Sequence, residues 1–149
     1  MLMPEPPQKP DANSPLFKNL RLYCFVNGLY LSSLQKGLQT AHVVSELHSK
    51  YGTNSEIYNQ WASNHKTIII LDGTNHETVK KISGAISEFG KSLRLPYATF
   101  QEDEASLNCA YTATGIIMPE YLYTKPKQVD AEPDVGSFFY YLKNAKLAS

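Results

Sequence analysis

The sequence predicts an α/β fold: a mixed, largely parallel four-stranded sheet with helices on both faces. Three observations carry this. Residues 20–26 and 66–71 are apolar on both parities, the pattern of strands covered on two sides rather than one. Each of these runs is followed by a helix-period segment, giving enough chain for a crossover between parallel strands, which is right-handed as a rule. Residues 97–100 and 110–118 read as two further strands joined by an acidic loop, close enough in sequence to pair antiparallel.

Residues 1–17 form a proline-rich arm, with Pro4, Pro6, Pro7, Pro10 and Pro15 and no hydrophobic periodicity, which places them outside the core. The first strand, containing Leu22, Tyr23, Cys24, Phe25 and Val26, ends at Asn27-Gly28. Ser32 with Gln35 three residues later is a capping box opening a helix that runs to about Lys50. A short helical turn over residues 56–62 leads into the second strand, whose β-branched run reads as buried. Asp72-Gly73-Thr74 breaks the pattern, and Asn75 or Thr74 caps a second helix with Val79, Ile82, Ile86 and Phe89 on its inner stripe, ending near Gly90. The α/β domain spans residues 18–119; residues 120–149 comprise a polar linker and an aromatic element, probed for by Phe138, Phe139, Tyr140 and Tyr141, that is expected to dock on its own domain or on another subunit.

With 149 residues the chain suits one core. Lysine plus arginine equals aspartate plus glutamate at 14 each, which argues against a polyanionic partner unless a basic patch is hidden within the neutral total. Cys24 and Cys109 lack metal-type spacing and lie in apolar runs, where cysteine behaves as a small hydrophobe. No stretch has the roughly 20 apolar residues that cross a bilayer, and residues 1–10 carry no apolar signal region, so a cytoplasmic protein without membrane contact is expected.

Gln39, His42 and Glu46 share one helix face by their spacing, a polar cluster in which His42 serves as base or hydrogen-bonding group, or simply a solvated helix side. Ser32 and Ser33 begin the same helix, where unpaired N–H groups suit a phosphate, although capping alone explains both. The loop over residues 101–108 carries Glu102, Asp103, Glu104, Ser106 and Asn108. Tyr51, Tyr58 and Trp61 are aromatic candidates for stacking a base, with core packing the alternative. His48, His65 and His76 are scattered without metal-ligand pairing, and neither a metal nor a cofactor is expected.

The segment Gln39-Thr-Ala-His42 resembles the Gln-Cys-Ser-His motif that type-2 peptidyl-tRNA hydrolases carry on the helix after their first strand. Trp61, a polar turn, Lys66 and the following strand are similar to that family's order, as are Leu93-Arg-Leu-Pro-Tyr97 and Gly115-Ile116, so the resemblance covers about residues 20–118. It implies the family's α/β fold and a site made by the helix motif with an aspartate and a threonine after the third strand. The chain departs from the family at the lysine that precedes the motif: Gln35 stands at that offset, and Lys36 lies one residue later, about 100° round the helix. The Pro-Gly-Thr turn after the third strand is also absent.

These readings favour a non-catalytic module that binds a small nucleotide through Ser32, Ser33, Gln39, His42, Asn108 and Thr112. In size, neutrality and appended tails the chain is similar to short phage proteins that sequester nucleotide immune signals of the cyclic ADP-ribose or cyclic nucleotide type, which implies a phage-encoded homo-oligomer in the host cytoplasm. The alternative is a peptidyl-tRNA hydrolase acting through His42 and Asp103, with tRNA as partner under that reading alone. A structural oligomeric scaffold is the third.

Overall fold

The structure is a computed structural model that describes residues 14–28, 32–102, 110–125 and 133–148. After a 3-10 turn at Pro15–Phe17 come β1 (Arg21–Val26), α1 (Ser33–Tyr51), α2 (Glu56–Gln60), a π-helical turn (Trp61–His65), β2 (Thr67–Asp72) and α3 (His76–Leu93). They are followed by β3 (Tyr97–Gln101), β4 (Tyr111–Met118), α4 (Glu120–Tyr123) and α5 (Phe138–Asn144). The expected caps form. Gln35 N–H donates to Ser32 Oγ at 3.2 Å while Ser32 N–H donates to Gln35 Oε1 at 2.9 Å, and Asn75 Oδ1 accepts from Thr78 N–H at 2.9 Å to open α3.

The four strands lie in the order β2-β1-β4-β3. β1 and β2 pair parallel, and β4 runs antiparallel to both β1 and β3. Three strands therefore share one direction, but β4 separates β1 from β3 and only the β1–β2 neighbours are parallel, so the sheet is mixed rather than largely parallel as expected. The short β3–β4 connection forces the antiparallel pairing. β4 then takes an inner position, and Thr112 to Met118 along it are buried.

Side chains alternate between two cores. Leu22, Cys24 and Val26 of β1 with Ala113 and Ile117 of β4 pack under Val43 and Leu47 of α1 and against Tyr58 and Trp61. Tyr23, Phe25, Ile116 and Met118 face Ile82, Ala85 and Ile86 of α3. Helices thus cover both faces. Gly115 makes the α1 side possible, because a Cβ there would lie 3.0 Å from Leu22 Cδ1 and 3.2 Å from Val43 Cγ1.

Three further expectations need correction. β2, expected as a buried strand, is an edge strand with Ile68 41% exposed, since a β-branched run fits a sheet but does not encode its place in the order. Part of its outer edge is closed by the C-terminal segment: Asp72 N–H donates to Lys146 O at 2.8 Å and Ala148 N–H to Ile70 O at 3.0 Å. The start of the polar linker is instead α4, with Leu122 and Tyr123 buried and Tyr123 Oη donating to Asn19 O at 2.9 Å. Phe17, placed in the arm, is buried in the α1-side core. The aromatic element docks in cis: Phe138 is buried, and Phe89 of α3 lies 4.9 Å from its ring and 5.1 Å from that of Phe139.

Candidate functional site

The parallel directions of β1, β2 and β3 bring their carboxyl ends to one edge of the sheet, where α1 and α3 begin. In open α/β sheets this edge is where ligands collect. On the α1 face, Gln39 is buried with both ends of its amide engaged. Thr112 Oγ1 donates to Gln39 Oε1 at 2.9 Å, and Gln39 Nε2 donates to Glu102 Oε1 at 2.9 Å. A carboxylate only accepts, so Glu102 fixes which end of the amide carries nitrogen. The Thr112 hydroxyl also lies 3.4 Å from Phe100 O, but it has one hydrogen to give and the shorter contact to Gln39 takes it.

His42, three residues along α1 from Gln39, is half-buried and lies flat on Phe100, with ring centroids 4.3 Å apart and planes 14° off parallel. Gln39, His42, Thr112 and Glu102 thus come together as one cluster. Ser32 and Ser33 are exposed at the start of α1, and the Ser32 hydroxyl is occupied by the cap. Asp103, Ser106, Asn108 and Cys109 lie outside the described residues. Glu46 is exposed one turn beyond His42.

Sequence reasoning named Thr112 and Glu102 among its candidates but not their bonds to Gln39, and it did not find Phe100. Phe100 faces α1 by the alternation of β3, since Ala98 and Phe100 both join the α1-side core. On the other face of the same edge, His76 Nδ1 accepts the backbone N–H of Tyr111 at 2.8 Å, which leaves the ring proton on Nε2, 3.7 Å from Glu77 Oε1. No local pattern announces either pairing.

Two groups are chemically excluded from acting as nucleophile or polarising cation. Cys24 is wholly buried and its thiol pKa is pushed up to about 12 by desolvation, against a weaker opposing hydrogen bond with Thr40. Gln35, at the offset of the family's lysine, spends its side chain on the Ser32 backbone. Among the described residues, no group of three His, Cys, Asp or Glu side chains is placed to hold a metal ion, and no helix is long and apolar enough to cross a membrane.

No family model matches the chain, and no curated protein matches it by sequence.

Proposed function

We propose that the chain is a non-catalytic binding module for a small nucleotide, held at the carboxyl-end edge beside Gln39, His42, Glu102 and Thr112 on a type-2 peptidyl-tRNA hydrolase-like fold. The observation that carries this reading is the Gln39 amide, locked between Thr112 and Glu102. It is a structural lock on a carboxylate, and a held carboxylate suits the hydroxyl or amino donors of a nucleoside. His42 on Phe100 adds a flat aromatic wall beside it. A nucleotide signal of the cyclic ADP-ribose or cyclic nucleotide class, sequestered by an oligomer, is the ligand setting that fits this reading.

The second reading is hydrolysis of peptidyl-tRNA, with His42 and an acidic group as water-activating pair. Its support is Lys36, half-buried and three residues before Gln39, so that helical spacing puts it one turn back on the same side. Against it stands the family lysine's replacement by Gln35, whose amide is neutral and bound in the cap. One experiment separates the two. The full chain is assayed on N-acyl-aminoacyl-tRNA and, by calorimetry, on a panel of cyclic and linear adenine nucleotides, beside a His42→Ala variant. The binding reading expects no turnover and an affinity for one nucleotide that His42→Ala weakens about tenfold. Turnover abolished by His42→Ala would replace it with the hydrolase reading.

A further inference from the structure

The opposite edge of the sheet, where β3 begins and α1 and α3 end, holds a cleft of about 360 Å³ lined by Tyr51, Asn54, Ser55, Lys91, Arg94 and Tyr97 among others. Twelve residues of α1 separate Gln39 from Tyr51, about 18 Å of helix, so this is a separate place on the molecule. None of the residues lining it is an aspartate or glutamate, whereas Lys91 and Arg94 both line it. A third cation stands at its wall: Lys50 Nζ donates to Tyr97 O at 3.2 Å and lies 4.5 Å from the Tyr97 ring and 5.2 Å from the Tyr51 ring. Three of the chain's 14 lysines and arginines thus stand at this cleft.

Lys50 and Lys91 fall in the last turns of α1 and α3, where any cation is favoured by the helix carbonyls. The same carbonyls favour a cation at Arg94, the C-cap of α3, but they do not account for its backbone conformation. This residue is left-handed, φ 56° and ψ 42°, which costs a residue with a Cβ about 1 kcal/mol and is commonly given to glycine. An arginine at this position carries a planar fork of donors to the cleft, the geometry that matches phosphate oxygens. Gly90 shapes the floor: a Cβ there would meet Tyr97 Cδ1 at 2.4 Å, so only glycine lets that ring lie on α3. The half-buried rings of Tyr51 and Tyr97 supply aromatic surface, and the volume falls within the range of small-molecule sites.

We infer that this cleft is a second binding site, for a small phosphorylated ligand of mononucleotide size, with the phosphate on Lys91 and Arg94 and the apolar or aromatic part against Tyr51 and Tyr97. It stands independently of the carboxyl-end reading. The test is a titration of the isotope-labelled full chain with adenosine monophosphate, inorganic phosphate and adenosine as separate probes, followed by amide NMR. Adenosine monophosphate is expected to shift the amides of Asn54, Ser55, Lys91 and Arg94 with saturation, phosphate to shift them more weakly, and adenosine to leave them unmoved. Lys91→Gln should weaken the interaction about tenfold. Arg94→Gly should do the same while leaving the fold at least as stable, because glycine suits the left-handed cap, so lost binding cannot be blamed on unfolding. His42→Ala should change nothing at this cleft. Shifts confined to the surroundings of Gln39 and His42, adenosine binding as well as its monophosphate, an affinity indifferent to Arg94→Gly, or no shift at millimolar probe would each overturn the inference.

Discussion

A glutamine amide carries a donor end and an acceptor end, and Gln39 is buried with each end matched to a partner of the right kind, Glu102 and Thr112. Burial makes this arrangement costly to disturb, because a removed partner leaves the other group desolvated and unpaired. Gln39→Leu is therefore expected to lower stability by about 1–3 kcal/mol. Thr112→Val should cost a smaller amount of the same kind, and the double variant should cost less than the two single losses added, since each already breaks the shared bond. Urea unfolding of the four chains checks this; strict additivity would mean that the two side chains do not interact. At this scale the sequence was half legible. Gln39 and His42 stand three apart on a helix whose cap is written in the sequence, so their common side could be read locally. Their partners Phe100 and Glu102 could not, because that pairing depends on where β3 comes to lie against α1.

Elements are legible where the signal is local and lost where it is relational. Capping residues, β-branched runs and the inner stripe of α3 announced every strand and both long helices within a few residues of their observed bounds. The edge status of β2 and the insertion of β4 between β1 and β3 have no such signal, since sheet order follows from competition among all strands for the centre. The two glycines of α3 separate local propensity from context in the same way. At Gly84 an added Cβ meets nothing within 4 Å, and at Gly90 it meets Tyr97 Cδ1 at 2.4 Å. Helix propensity favours alanine equally at both positions. Gly84→Ala should raise stability by about 0.5–1 kcal/mol. Gly90→Ala should lower it by about 1–3 kcal/mol, the usual cost of forcing a packed ring aside. Denaturant midpoints measured on the two variants decide it. A gain at both positions would mean that Tyr97 swings away freely and that the cleft floor is soft.

Across the whole molecule charge is balanced, and among the described residues no single ion pair dominates, so the pH response of stability falls to groups that the fold hides from water. Cys24 is the clearest of them, its thiol held up to about 12 from an ordinary 9.0 by complete burial. Burial also raises Tyr58 and Tyr123, although nearby Arg21 opposes the shift at Tyr123. For an acid whose folded pKa is raised, the unfolded chain loses its proton first. Cys24 therefore contributes its full stability below 9.0, and that contribution is lost as pH climbs toward about 12. Within this window the slope from one such group is about 1.4 kcal/mol per pH unit at most. Cys24→Ala should cost about 1–2 kcal/mol at neutral pH through the lost sulfur contacts. As pH rises above 9.0 the gap between the two chains should narrow and then reverse, because the variant has no thiol to deprotonate on unfolding. The tyrosines and Cys109 are common to both chains and cancel in the difference. Denaturant unfolding at a series of alkaline pH values measures that gap directly. Parallel curves would mean that water reaches Cys24 in the folded chain, and a β1 centre open to water would contradict the two-sided burial on which the whole architecture rests.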